Sequence, residues 1–267
     1  MGGLFSSLFA SRRAPPRPRL KLERTPAVIY AVGDVHGCLD QLIQIERKIA
    51  EDAAPLDGDK LIVMLGDYID RGPRSAQVID HLIGPAPEGF ERICLVGNHD
   101  TGFLSFLAVS GRSDDWLALG AEATLASYGI DVDRLDPRER SPYLLSRRLA
   151  ASVPAEHITF LAGAPVLLET PDYIFVHAGL RPGRSIKDQL DQDLLWIRHI
   201  PAARLAEFGR PVIHGHTPVK TALVDGPEIA IDTAAFATGR LTAVRLMVNK
   251  APIFLVTEAT ERLWVGP

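Results

Sequence analysis

Short apolar runs, largely β-branched, recur along the chain, and each ends in a glycine-containing turn followed at once by polar residues. Ala27–Val32 leads into Gly33-Asp34, Lys60–Leu65 into Gly66-Asp67 and Arg92–Val96 into Gly97-Asn98. Further on, Tyr173–Val176 leads into His177-Ala178-Gly179, and Pro211–Ile213 into His214-Gly215-His216. Runs of this length bounded by turns predict buried strands. Between the first three the apolar spacing becomes helical: Leu39, Leu42, Ile43, Ile45 and Ile49, then Ala76, Val78, Ile79, Leu82 and Ile83. Strand–helix–strand–helix–strand predicts βαβ units with parallel pairing, and so an α/β fold. Open α/β sheets bind ligands past the carboxyl ends of their strands. Here those ends carry Asp, Asn and His.

The pattern changes over residues 102–170. Asp115-Trp116-Leu117 opens a helical stretch ending near Tyr128-Gly129, Asp136-Pro137 and Ser141-Pro142 mark turns, and Val153–His157 reads as another helix start. These residues are expected to form a helical insertion over the site within one domain, residues 26–267. Glu228–Ile231, Leu241–Val248 and Ile253–Val256 read as returning strands. The first 25 residues differ again. They hold six basic residues against Glu23, with Pro15, Pro16 and Pro18 keeping the backbone extended. The expectation is a flexible, solvated basic tail. The start also fits a Met-Gly-x-x-x-Ser acylation pattern, which with the basic residues would give weak membrane-surface contact. An apolar run that precedes its arginines is in the wrong order for a secretory signal.

Composition changes this picture little. The 267 residues are 46% hydrophobic and 23% charged, enough for one sizeable core. A net charge of −4 leaves no electrostatic footprint for nucleic acid, so none is expected as a partner. The two cysteines, Cys38 and Cys94, form no CxxC pair, so neither a disulfide framework nor a thiolate metal site is expected, and a reducing, cytoplasmic setting fits. No apolar stretch reaches the roughly 18–20 residues that span a bilayer.

The chemistry lies in five clusters: Gly33-Asp34-Val35-His36-Gly37, Gly66-Asp67-Tyr68-Ile69-Asp70-Arg71-Gly72, Gly97-Asn98-His99-Asp100, His177-Ala178-Gly179 and His214-Gly215-His216-Thr217. A lone Asp-x-His is weak, but five such clusters, each closing a predicted strand, support one another. Carboxylate, imidazole and amide donors without thiolate suit manganese, iron or zinc. Asp34 and His36, two apart at a strand end, can grip one ion. Asp67 can bridge a pair, and Asn98, His177 and a histidine of the last motif can hold the second. Two such ions activate a shared water and clamp an in-line displacement.

These motifs resemble the phosphoprotein phosphatase superfamily of calcineurin-like metallophosphoesterases, over about residues 27–248. Within it the chain is similar to bacterial serine/threonine protein phosphatases and to symmetrical diadenosine tetraphosphate hydrolases. The resemblance implies a β-sandwich of mixed sheets flanked by helices, with a dimetal site at strand carboxyl ends. It implies that Asp34, His36 and Asp67 bind one ion, and that Asp67, Asn98, His177 and His216 bind the other. The match of Gly215-His216-Thr217-Pro218 to the family pattern favours His216 over His214. It further implies that His99 is the general acid, oriented by Asp70, that Arg71 and Arg198 bind phosphate, with Asn98 beside it, and that the cofactor is two divalent ions, manganese foremost. Asp70 within Gly-Asp-x-x-Asp-Arg-Gly favours a serine/threonine phosphatase working through a metal-bridging hydroxide, with a phosphorylated protein or small phosphoester as substrate. Asp100 in place of the phosphatases' glutamate keeps diadenosine tetraphosphate hydrolysis open. An inactive scaffold binding phosphorylated partners would have lost a ligand or the acid, and this chain keeps both. Ala234 stands where the family often has glycine in Ile-Asp-Thr-Gly. Trp116 is expected to pack against the scaffold, Cys38 to be a small residue opening a helix, and Arg181 and Arg184 to line the mouth or a solvated loop.

Overall fold

A computed structural model describes residues 17–108 and 115–258. Its first half holds β1 (Arg19–Lys21), β2 (Val28–Val32), α1 (Leu39–Ala53), β3 (Lys60–Met64), α2 (Ser75–Ile83), β4 (Phe90–Cys94) and α3 (Asn98–Ala108). Three helices follow, α4 (Glu122–Ser127), α5 (Pro142–Ser152) and α6 (Ala155–Gly163), then β5 (Leu167–Glu169) and β6 (Ile174–Val176). The remainder comprises α7 (Asp191–Trp196), α8 (Ala202–Leu205), β7 (Val212–His214), β8 (Leu223–Asp225), β9 (Glu228–Ala230), α9 (Ala235–Thr238), β10 (Thr242–Leu246) and β11 (Ile253–Val256).

Two mixed sheets result, one ordered β11-β10-β2-β3-β4 and the other β1-β5-β6-β7-β9-β8. Side chains alternate across a strand, and the alternation sorts them into layers. Ile29, Ala31, Leu61 and Val63 face Phe175, Ile213 and Ile229 across the space between the sheets. Val28, Tyr30, Val32, Ile62 and Met64 face outward onto α1, α2 and the helices after α3. On the far side, Ile174, Val176 and Val212 pack on Leu194, Leu195 and Leu205 from α7 and α8. The molecule is therefore helix, sheet, sheet, helix. β2, β3 and β4 run parallel, as do β6, β7 and β9. Their carboxyl ends meet at one edge of the sandwich.

Two expectations need correction. The tail expected to run to residue 25 is not solvated throughout, because β1 pairs in parallel with β5. Its charges find partners: the Arg17 amide and the Arg19 guanidinium reach the Asp191 carboxylate at 2.9 and 2.7 Å, and Leu22 packs on the inter-sheet core. Residues 1–16, with the acylation pattern, lie outside the described residues. Ser141-Pro142, read as a turn, opens α5. The serine caps it by accepting from the Leu144 amide, and proline fits the first helical position because no N–H is needed there. Among the described residues no helix is long and apolar enough to cross a membrane.

Candidate metal centre

Each functional side chain sits within five residues of the end of a strand. Asp34 and His36 follow β2, Asp67 follows β3, Asn98 and His99 open α3 after β4, His177 follows β6, and His216 follows β7. All are buried, between 0 and 4% exposed. One sheet supplies the first five and the other the last two.

The turns that present them are tight. His36, Asp67, Asp70, Arg71 and His216 all have positive φ, between 44° and 69°. Non-glycine residues adopt this conformation at a cost, and such strain gathers at functional sites. Gly97 and Gly215 have a more direct reason to be glycine. A Cβ on Gly97 would lie 2.0 Å from Asp67 Oδ1, and one on Gly215 would lie 2.0 Å from Asp34 Oδ1.

Donor atoms of His36, Asp67 and His99 lie within 4.8 Å of one another, and so do those of Asp67, His177 and His216. Asp67 belongs to both groups. His177 Nε2 is 3.5 Å from Asp67 Oδ2 and 2.9 Å from Asn98 Oδ1. The Asp34 carboxylate accepts from the His216 amide at 3.1 and 3.2 Å. The structure thus brings together all six residues singled out as ligands. His214 turns away: its Nε2 meets Glu228 at 2.9 Å.

The donor set fits divalent ions. Burial, then neighbouring Asp232 and Asp67, pushes the Asp34 carboxyl well above the usual range, and burial pushes Asp67 up to about 7. Crowded buried carboxyls call for a cation. The imidazoles are held neutral. Burial drives His36 and His177 well below the ordinary histidine value, and burial together with Arg198 lowers His216 to about 3. His36 Nδ1 is 2.8 Å from the Ile69 carbonyl and His177 Nδ1 2.9 Å from that of Leu65. A proton fixed on Nδ1 by a carbonyl leaves the Nε2 lone pair facing inward, as a metal ligand needs. Oxygen and neutral nitrogen donors without thiolate match borderline or harder divalent ions.

His99 differs from the other three. Burial opposes its protonation, but Asp67 and Asp70 outweigh burial and its pKa is raised. Its Nδ1 lies 2.7 Å from Asp70 Oδ2. Asp70, fully buried, also accepts from Trp116 Nε1 at 2.9 Å and Thr124 Oγ1 at 2.7 Å. Trp116 therefore packs inside and fixes Asp70. Arg71 Nη1 and Nη2 stand 3.2 and 3.0 Å from the Nε2 atoms of His36 and His99. Arg198 Nε donates to His216 Nε2 at 3.0 Å. Arg181 and Arg184, by contrast, pair with Asp193.

The roles of two residues escaped the sequence reading. Asp100 accepts from the amides of Asp67, Tyr68 and Gly97 at 2.8–3.0 Å, clamping the β3 and β4 turns together. Asp232 is 2% exposed and stands within electrostatic reach of Asp34. The carboxylate three residues past Gly97 was the available signal for the first.

The calcineurin-like phosphoesterase family matches residues 27–243. The asymmetrical bis(5'-nucleosyl)-tetraphosphatase PrpE of Bacillus velezensis is 27% identical over 234 residues, covering 80% of this chain and 87% of the relative. The protein of that name from Geobacillus sp. is 28% identical over 239 residues, covering 81% and 89%. Among solved structures, one described as a candidate diadenosine tetraphosphatase superposes with a TM-score of 0.62 at 20% identity, over 90% of this chain and 98% of that one. A cold-active protein tyrosine phosphatase gives 0.57 at 16% identity, over 90% and 81%. At such identities the last two show the fold alone.

Proposed function

Starting from a chain that belongs to the calcineurin-like phosphoesterases, and so is a phosphoester-hydrolysing enzyme, we propose that it is a phosphomonoesterase for esters of poorly departing alcohols, phosphoserine and phosphothreonine among them. The His99–Asp70 pair carries this reading. An alcohol leaves as an alkoxide unless a proton reaches it, and an imidazole backed by a carboxylate is a group that delivers one. The Asp70 carboxylate accepts from Trp116 and Thr124, and its backbone amide donates to the Thr124 hydroxyl. Asp34, His36, Asp67, Asn98, His177 and His216 are the residues proposed to hold two divalent ions, with manganese foremost. Such ions, when bound, supply Lewis acidity toward water and phosphate oxygens. The chain's own contribution is positional. Arg71 and Arg198 reach in from opposite sides of the cluster to take phosphate oxygens, and Asp70 fixes the His99 ring so that Nε2 faces the departing oxygen. The proposed setting is cytoplasmic, in keeping with two free cysteines.

The test is a leaving-group series with manganese. His99→Asn and Asp70→Asn are expected to slow alkyl phosphates at least tenfold more than p-nitrophenyl phosphate, whose leaving group needs no proton. Equal losses on both would remove the acid role.

A second reading is hydrolysis of dinucleoside tetraphosphates, supported by the activity named for the curated relatives. There a nucleotide departs and needs no proton, so His99 would matter less. A phosphothreonine peptide set against diadenosine tetraphosphate at matched concentration separates the two, and the nucleotide products report whether any cut is symmetrical.

A further inference from the structure

His157, on α6, is 1% exposed and takes no part in the metal cluster. Both of its ring nitrogens are bonded. Nδ1 stands 2.8 Å from the Tyr128 hydroxyl, and Nε2 stands 2.8 Å from Asp80 Oδ1 on α2. A carboxylate only accepts, so Nε2 carries the proton, and the neutral ring accepts from the tyrosine at Nδ1. Burial and Asp80 push the Tyr128 phenol up, so it keeps the proton it donates. The two bonds join three helices, because Tyr128 is the residue that caps the end of α4.

Tyr128 in turn supports both side chains that donate to the Asp70 carboxylate. Its amide donates to the Thr124 carbonyl, one turn back, at 3.2 Å, and its ring stacks on Phe103 at 6.3 Å. Phe103 meets Trp116 edge-on at 5.4 Å. Thr124 donates to Asp70 Oδ1, and Trp116 donates to Oδ2, the oxygen that faces His99 Nδ1. At the start of α2, Ser75 Oγ lies 3.1 Å from the Asp70 amide and 3.0 Å from Thr124 Oγ1. α4 is therefore tied to α2 at two places, directly at Ser75 and through His157 at Asp80. With the second tie gone, the segment is free to pivot on the first, and small misplacements at a reacting centre cost rate. We infer that Asp80, His157 and Tyr128 are positioning residues for the general acid, pinning residues 115–128 so that Trp116 and Thr124 hold Asp70 against His99. The effect on rate rests on the acid role proposed above; the pinning itself does not.

The test uses variants that cut this tie. Tyr128→Phe removes the hydroxyl and keeps the ring on Phe103, His157→Leu removes both bonds, and His157→Gln offers an N–H to Asp80 and an oxygen to Tyr128. In the manganese-loaded full chain, the first two are expected to lower kcat on alkyl phosphates about fivefold more than on p-nitrophenyl phosphate, the weight of one net hydrogen bond. KM and bound metal should stay as they were, and His157→Gln should recover the unaltered ratio. Tyr128→Phe carries the comparison if His157→Leu does not fold. A merely structural role would lower kcat on both substrates alike, and that outcome, with His99→Asn still separating them, overturns the inference. A second readout needs no turnover. In the metal-free chain, solvent exchange of the Trp116 indole proton, assigned with Trp116→Phe by nuclear magnetic resonance, should be about threefold faster or more in the cut variants. If His99→Asn fails to separate the substrates, the acid reading falls by itself, and an unchanged indole exchange then overturns the pinning.

Discussion

Asp100 touches no donor group of either histidine–carboxylate set, yet the position of Asp67 depends on it through three backbone amides. Asparagine there would turn an amide N–H₂ against at least one of them. Asp100→Asn is expected to cost about 2 kcal/mol of stability, one buried amide left unpaired, and to weaken metal binding; urea denaturation and a metal titration measure the two effects. Ala234 works in the opposite sense. It sits at φ 52°, ψ 58°, in the left-handed region, where a Cβ is strained by roughly 1 kcal/mol or more. Ala234→Gly should relieve that strain and stabilise the fold by up to about 1 kcal/mol, read as a higher urea midpoint at an unchanged slope. A lower midpoint would show that the turn does not store the strain. The ligand types and their spacing were legible in the sequence, because each motif puts its donors next to an unavoidable strand end. The Trp116–Asp70 contact was not, since it joins residues 46 apart and Trp116 lies in a turn whose pattern signals only burial.

The strands flanking the motifs read cleanly because both faces are covered, leaving long apolar runs without gaps. β1, β5 and β8 did not, being three residues each with polar or exposed positions. A strand that short is defined by its neighbour more than by its own residues. Removing residues 1–22 should therefore lower stability by about 3 kcal/mol, counting the lost ladder bonds and the Arg19–Asp191 pair at about 1 kcal/mol each. A solvated tail would leave the thermal midpoint where it was. The turn after β7 gives a sharper case. In Gly215→Ala the new methyl must displace the Asp34 carboxylate, so bound metal is expected to fall from two ions per chain toward one while far-ultraviolet dichroism stays unchanged. Two ions per chain in that variant would show that Asp34 is no ligand.

Across the molecule, the cluster concentrates carboxyl groups where water cannot reach. Chelation is accordingly expected to lower the thermal midpoint by several degrees, measured by calorimetry with and without added manganese. Affinity should also follow pH in a stated direction. Asp67, pushed up to about 7, is protonated below that value in the metal-free chain and must lose its proton to ligate. His36, His177 and His216 are already neutral there. Asp34, pushed well above the usual carboxyl range, must lose its proton likewise, so apparent affinity should rise with pH through about 7. An affinity flat from pH 5 to 8 would contradict the carboxyl assignment.

His36, Asp67 and Asn98 hang from one sheet, and His177 and His216 from the other. The oily filling between the sheets, Phe175 and Ile213 against Ile29 and Val63, consequently acts as a spacer gauge for the two halves of the cage. Trimming a methylene there moves no ligand side chain within its own loop, but it lets the jaws draw together. The separation of the two ligand sets is therefore expected to depend on packing in the deepest and most chemically inert part of the chain.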